Sequence, residues 1–111
     1  MKAQSTSIVI PVESMDEAVG QWSTLLGVEP TFVDGDRWAQ LDIGDTRLSL
    51  AGSDRSSDEV GLLIKVSDAR AARLSLIELG FKTGSLVSGS HEERFNVENL
   101  NVPVTFYSKY S

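Results

Sequence analysis

The fold is decided by "SIVIPVESMDEAVGQWSTLLGV", residues 7 to 28, together with its echo "GLLIKVSDARAARLSLIELGF", residues 61 to 81. In the first stretch Ile8, Ile10 and Val12 alternate with Ser7, Val9 and Pro11, the period-two pattern of a strand whose drier face carries the first three. Pro11 has no amide hydrogen to give to a ladder, which points to an edge position or a bulge. Ser14 and Glu17 then stand at capping-box spacing, so a helix starts there. Met15, Ala18, Val19, Trp22, Leu25 and Leu26 recur on one helical stripe, and Gly27 closes the helix. The stripe reads Trp22 as core.

Working outward, three extended segments are expected at residues 30–33, 37–43 and 46–51, separated by Asp34-Gly35-Asp36 and by Gly44-Asp45. The small, polar "AGSDRSSDEVG" at residues 51–61 reads as a linker. The second stretch then repeats the order: a strand at 62–66, a cap at Ser67 or Asp68, and a helix carrying Ala69, Ala72, Leu76 and Leu79 to a closing Gly80. Extended segments near 81–87, 94–97 and 102–107 follow. The pattern βαβββ is thus written twice, in module one at about 5–53 and module two at about 59–111 of a single domain. A piece half this size is marginal alone, so the two are expected to join. The predicted class is α+β: two βαβββ modules forming a curved, mixed sheet cup with helices on the outer face.

Composition excludes several functions. An apolar content of 41% with 23% charged residues is that of a globular chain and not of a disordered one. The net charge is −6 and Lys and Arg form no cluster, so nucleic acid and anionic membranes are poor partners. With no cysteine there is no disulfide, thiol nucleophile or thiolate metal site. The apolar run at residues 8–12 is too short for a signal peptide or a membrane span, which leaves the cytoplasm as the expected location. No nucleophile elbow or Gly-rich phosphate loop is present. The single histidine, His91, lies in "SGSHEE" beside Glu92 and Glu93, where neighbouring side chains on a loop diverge too far to share a metal.

Candidate ligand-facing residues follow from the Gly44-Asp45 turn. Closing a two-residue hairpin there pairs Ile43 with Thr46, Asp42 with Arg47, Leu41 with Leu48, Gln40 with Ser49 and Trp38 with Ala51. Leu41, Ile43, Leu48 and Leu50 then pack toward the helices. Trp38, Gln40, Asp42, Arg47 and Ser49 share the other, concave face with Ser7 and Val9. A faithful repeat adds Leu63, Lys65, Pro103, Thr105 and Tyr107 from module two. Trp38 beside an amide and a carboxylate makes an apolar platform with polar handles; the alternative is a Trp that fills the cup or a dimer contact. Asp42 and Arg47 read either as a plain cross-strand ion pair or as a charge pair that orients a polar ligand.

These residues resemble a known family, the vicinal oxygen chelate superfamily of glyoxalase I, extradiol dioxygenases, fosfomycin-resistance enzymes and bleomycin-resistance binding proteins. "IVIPVESMDEAVGQWSTLLG" and "LIKVSDARAARLSLIELGF" are similar to the strand, helix and terminal Leu-Gly of its two modules, and "NVENLNVPVTFYSKY" to its last hairpin. The resemblance implies a divalent metal held by His, Glu or Gln on the first and last strands of each module. In this chain those positions fall on Ser7, on Gly61 and near Ser49 and Thr105, none of them a good donor. The last hairpin turn, Glu98-Asn99-Leu100-Asn101, also departs from the family's Asp-Pro-Asp-Gly. The expectation is therefore a dimeric protein of the bleomycin-resistance type, without metal or other cofactor, that sequesters a small aromatic molecule, cationic or neutral. Its ligand would meet Ser7, Trp38, Gln40, Asp42, Arg47, Ser49, Leu63, Thr105 and Tyr107, and no residue is assigned to catalysis. The alternatives are a glyoxalase- or dioxygenase-like metal enzyme with displaced ligands, and a non-catalytic dimeric scaffold.

Overall fold

A computed structural model describes residues 1–110; Ser111, the end of module two, lies outside them. The elements run β1 (Ser5–Pro11), α1 (Met15–Leu26), β2 (Phe32–Asp34), β3 (Trp38–Ile43), β4 (Thr46–Ala51), β5 (Gly61–Lys65), α2 (Ala69–Glu78), β6 (Val87–Ser88), β7 (Glu92–Val97) and β8 (Val104–Lys109). The chain is α+β, with the order βαβββ written twice, as the duplicated sequence implies. Backbone contacts group it into two units, Ser7–Val60 and, in the second, Met1–Thr6 with the residues from Gly61 onward.

In the first unit the strand order is β2-β3-β4-β1. Gly44, at φ 58°, turns β3 into β4 with the register Trp38 to Ala51, Gln40 to Ser49, Asp42 to Arg47 and Ile43 to Thr46. Strand β1 lies parallel to β4, and Pro11 ends it, at a position where the ladder next takes the amide of Val12 instead. The Ser14 hydroxyl accepts the amide hydrogen of Glu17 to start α1. Met15 and Ala18 of α1 are buried with Ala39, Leu41, Leu48 and Leu50, and Ile10, Val12, Val19, Trp22 and Val28 pack around them. Leu25 is 73% exposed, unlike the expected stripe. At 100° per residue it lies only about 20° from buried Ala18, so rotation does not account for its exposure; Leu25 and Leu26 are the last two residues of α1 and are left at the rim.

In the second unit the order is β5-β8-β7-β6, with β5 parallel to β8 and β7 antiparallel to it. The amide of Gln4 donates to the Lys65 carbonyl at 2.8 Å, so the first residues of the chain belong here. Val66, Ala69, Ala72, Leu76, Phe95 and Val97 form the core, with Phe95 stacked on Phe106 at a centroid distance of 5.4 Å. Of the two cap candidates Asp68 is used: its carboxylate accepts the Ala71 amide, while the buried Ser108 hydroxyl accepts that of Ala69 at 2.8 Å. Both helices end in the same way. Val28 reaches back to the Ser23 carbonyl and Phe81 to that of Leu76, around Gly27 at φ 68° and Gly80 at φ 93°. Leu79, expected on the buried stripe, is 73% exposed because α2 stops before it and the cap turns it outward.

The extended segment expected over 81–87 is shorter in the structure. Phe81 is used by the helix cap, Thr83 makes a single bridge to Val97, and only Val87–Ser88 pairs regularly with β7. The Lys82-Thr83-Gly84-Ser85 run has no apolar alternation to hold it against a sheet face. The β7–β8 turn keeps its hairpin despite its unusual residues, because Asn99 takes the left-handed conformation at φ 62° that asparagine tolerates best after glycine.

Candidate functional site

In the first unit Ala39, Leu41, Leu48 and Leu50 face α1, so pleating sends their neighbours to the opposite side of the sheet. Trp38, Gln40 and Asp42 of β3 share that open side with Arg47 and Ser49 of β4 and with Ser7 and Val9 of β1. The six candidates from this half of the chain are thus brought onto one surface. Trp38, Gln40 and Asp42 are half-buried, so each keeps part of its side chain accessible.

Ser7 and Ser49 differ from the rest. Ser49 is fully buried and Ser7 nearly so, and their hydroxyls hydrogen-bond to each other at 3.4 Å. They are buried on this face of the sheet, while Trp38, Gln40, Asp42 and Arg47 on the same face remain half-buried or exposed. Arg47 forks onto Asp42, Nε to Oδ1 at 2.7 Å and Nη2 to Oδ2 at 3.1 Å. Arg47 beside it holds the Asp42 carboxyl below the usual carboxylate range, the Thr31 hydroxyl adds to this, and partial desolvation opposes both. Asp42 is therefore an anion whose charge is already answered. The register also places Phe32, 49% exposed, directly opposite Gln40 on the same side. The sequence reading missed Phe32 because the Asp34-Gly35-Asp36 turn does not by itself fix the β2 register.

In the second unit Leu63 pairs with Thr105 and Lys65 with Tyr107, on the side away from Phe95, Phe106 and α2. Leu63, Lys65, Thr105 and Tyr107 are all half-buried. The Thr105 hydroxyl donates to Asn96 Oδ1 at 2.8 Å. Leu63, Thr105 and Tyr107 thus share one surface of this unit, as their alternation implies.

The divalent metal associated with this kind of fold does not suit the residues present. Of the four positions, Ser7 and Ser49 offer neutral hydroxyls bonded to each other, and the Thr105 hydroxyl is taken by Asn96. Gly61 offers nothing, and a Cβ there would lie 2.7 Å from the Pro103 carbonyl oxygen, so β5 and the approach to β8 leave no room for a donor side chain. Nor does the His91 loop supply a cluster: Glu92 leans toward Arg94, whereas Glu93 points to the other side of β7 and binds Arg70 on α2. Among the described residues no group of three or more His, Cys, Asp or Glu side chains is placed to hold a metal ion.

No family model and no curated protein sequence matches the chain. Solved structures do. An NAD-dependent benzaldehyde dehydrogenase from Legionella pneumophila superposes with a TM-score of 0.84 at 10% identity, over 95% of this chain and 99% of that one. Methylmalonyl-CoA epimerase from Mycobacterium tuberculosis gives 0.73 at 19% identity, over 100% and 94%. A glyoxalase/bleomycin resistance protein/dioxygenase superfamily member from Vibrio splendidus 12B01 gives 0.71 at 15% identity, over 94% and 97%. The chain has the vicinal oxygen chelate fold, as the resemblance in its repeats implies. At these identities the likeness is one of fold, and activity has to be argued from this chain's own residues. No helix among the described residues is long and apolar enough to cross a membrane.

Proposed function

We propose that the protein binds a small planar aromatic molecule on the open surface around Trp38, as a metal-free sequestering protein of the kind that confers drug resistance by capture in the cytoplasm, working as a homodimer. The observation that carries this reading is Trp38 half-buried on one face with Gln40, an Asp42–Arg47 fork and two buried, mutually bonded serines. An indole face supplies stacking, or about 0.5–2 kcal/mol of attraction for a cation over it. Gln40 supplies an amide with both a donor and an acceptor end. Because Arg47 already neutralises Asp42, a neutral ligand is served as well as a cationic one. Capture makes and breaks no covalent bond, so the serine, glycine and threonine at the four metal positions are no handicap to it.

The test is a fluorescence titration of the protein in chelator against planar aromatic compounds, cationic and neutral. Saturable quenching that is abolished in Trp38→Phe, with Trp22 left as the remaining fluorophore, is the expected result. A signal that responds only after a divalent ion is added, or that survives in Trp38→Phe, would overturn the proposal. Sedimentation at several concentrations checks the dimer, which a concentration-independent monomer would refute.

A further inference from the structure

The acidic chain carries one surface with the opposite sign. On the open side of the second unit, three residues stand in a row across neighbouring strands: Lys65 on β5, Tyr107 on β8 and Arg94 on β7. With strands about 4.8 Å apart, the outer two backbones are roughly 10 Å from each other, a span that two long cationic side chains can close over one small anion held above the tyrosine. Lys109 and Glu92, paired opposite each other one step along, face the same way. The surface thus carries three cations against one carboxylate, in a chain whose net charge is −6.

The cations are also underused. Lys65 has no carboxylate partner among the described residues, although its side chain is half-buried. Arg94 has only a loose approach to Glu92, at 3.6 Å, and it remains 44% exposed. By contrast, the guanidinium groups of Arg37, Arg47, Arg55 and Arg70 each sit on a carboxylate at 2.7 to 3.2 Å, and that of Arg73 on the Gly84 carbonyl at 2.8 Å. Lys65 thus lays part of its length against this face of the sheet while its charge meets no carboxylate of the described residues. On the same side Leu63 and the ring of Tyr107 offer an apolar rest for whatever carries the anion.

We infer that this surface binds the carboxylate of an apolar organic acid, with Lys65 and Arg94 closing on the carboxylate over Tyr107 and with Leu63 against the acid's hydrocarbon part. Arginine matches a carboxylate with two parallel bonds, whereas lysine supplies a point charge. The site lies within the second unit, and it stands or falls independently of the Trp38 surface.

The experiment is an amide-resolved NMR titration with cyclohexanecarboxylate, acetate, inorganic phosphate and cyclohexylammonium. Cyclohexanecarboxylate is expected to give saturable shifts centred on Leu63, Lys65, Arg94 and Tyr107, and to bind more tightly than acetate. Lys65→Met and Arg94→Gln should each weaken it about tenfold. Lys82→Met removes the same charge from a residue that faces Glu98, and it should leave binding unchanged. Raising ionic strength from about 0.05 M to about 0.5 M should weaken binding but leave the shift pattern intact. Phosphate binding as tightly as the carboxylic acid would overturn the assignment, as would shifts with the ammonium compound. Equal affinity in Lys65→Met, Arg94→Gln and Lys82→Met would also overturn it, since that is what diffuse electrostatics gives. Arg94→Gln alters a side chain that is 44% exposed, so the test survives if Lys65→Met fails to fold.

Discussion

Replacing Gly61 with alanine asks whether the metal position on β5 is closed by geometry. The backbone there is of an ordinary kind that alanine adopts, so the penalty comes from contact alone. The new Cβ would meet the Pro103 carbonyl oxygen at 2.7 Å and the Pro103 Cβ at 3.1 Å, against ordinary contacts of 3.4 Å or more. That carbonyl cannot simply retreat, because it accepts the Leu62 amide at 2.9 Å in the ladder joining β5 to β8. Overpacking of this kind costs about 1–3 kcal/mol, and the lower entropy of an unfolded alanine chain returns about 0.4–1 kcal/mol. The net expectation is a loss of about 1–2 kcal/mol. With a urea slope of about 1.5 kcal/mol per molar for a chain of this size, the midpoint should fall by about 1 M. Gly20→Ala is the matched control: it lies inside α1 with nothing within 4 Å of its Cβ, and it should stabilise by about 0.5–1 kcal/mol. Both midpoints are read by circular dichroism in parallel urea series. If Gly61→Ala left the midpoint where it was, or raised it as Gly20→Ala should, the claim that β5 excludes a ligand side chain would be wrong.

Three further expectations follow from packing, capping and charge. Phe95 is 1% exposed and stacked on Phe106, so Phe95→Ala should destabilise by about 3–5 kcal/mol; a loss below about 1 kcal/mol in the same urea assay would contradict the packing. Ser108→Ala leaves the Ala69 amide buried without its acceptor and should cost about 1–3 kcal/mol, whereas Ser108→Thr, which keeps the hydroxyl, should recover part of it. The Asp42 carboxyl should titrate below the ordinary aspartate value by NMR and move up toward it in Arg47→Met. Because the folded value is the depressed one, this contribution to stability is present above the ordinary carboxylate pKa and fades as pH falls through the folded one. An unchanged Asp42 titration in the variant would mean that the fork does not hold it.

The sequence carried the fold further than it carried the site. Two strand-helix-glycine stretches at matching positions were enough to write βαβββ twice. The hairpin register followed from Gly44-Asp45 alone, because a two-residue loop leaves the strands no freedom to slip. What stayed illegible has common physical causes. Leu25 and Leu79 look like core by spacing, yet where a helix ends relative to its sheet is set by tertiary contacts that spacing does not encode. The second module's 81–87 segment has no alternation to read, and the structure satisfies its backbone with single bonds to β7 in place of a ladder. The faces were legible by parity, which put Trp38, Gln40, Asp42 and Arg47 together correctly. Parity does not report depth, so it could not show that Ser7 and Ser49 are buried while Arg47 on the same face is exposed. Phe32 and Arg94 escaped notice because their strands' registers depend on loops whose geometry the residues do not dictate.

The hydrogen bond from Gln4 to Lys65 has a consequence for anyone who would cut or reshuffle this gene. The repeat legible in the sequence begins anew at residue 61, so the natural place to divide the coding region is just before it. The folded chain follows a different boundary: its first six residues are grouped with the later half. A fragment started at Gly61 would lack the segment that engages the β5 backbone at Lys65. Grafting those six residues onto its front through a short flexible joint would restore that segment. The text repeats from residue 61, and the fold files its opening words with the second copy.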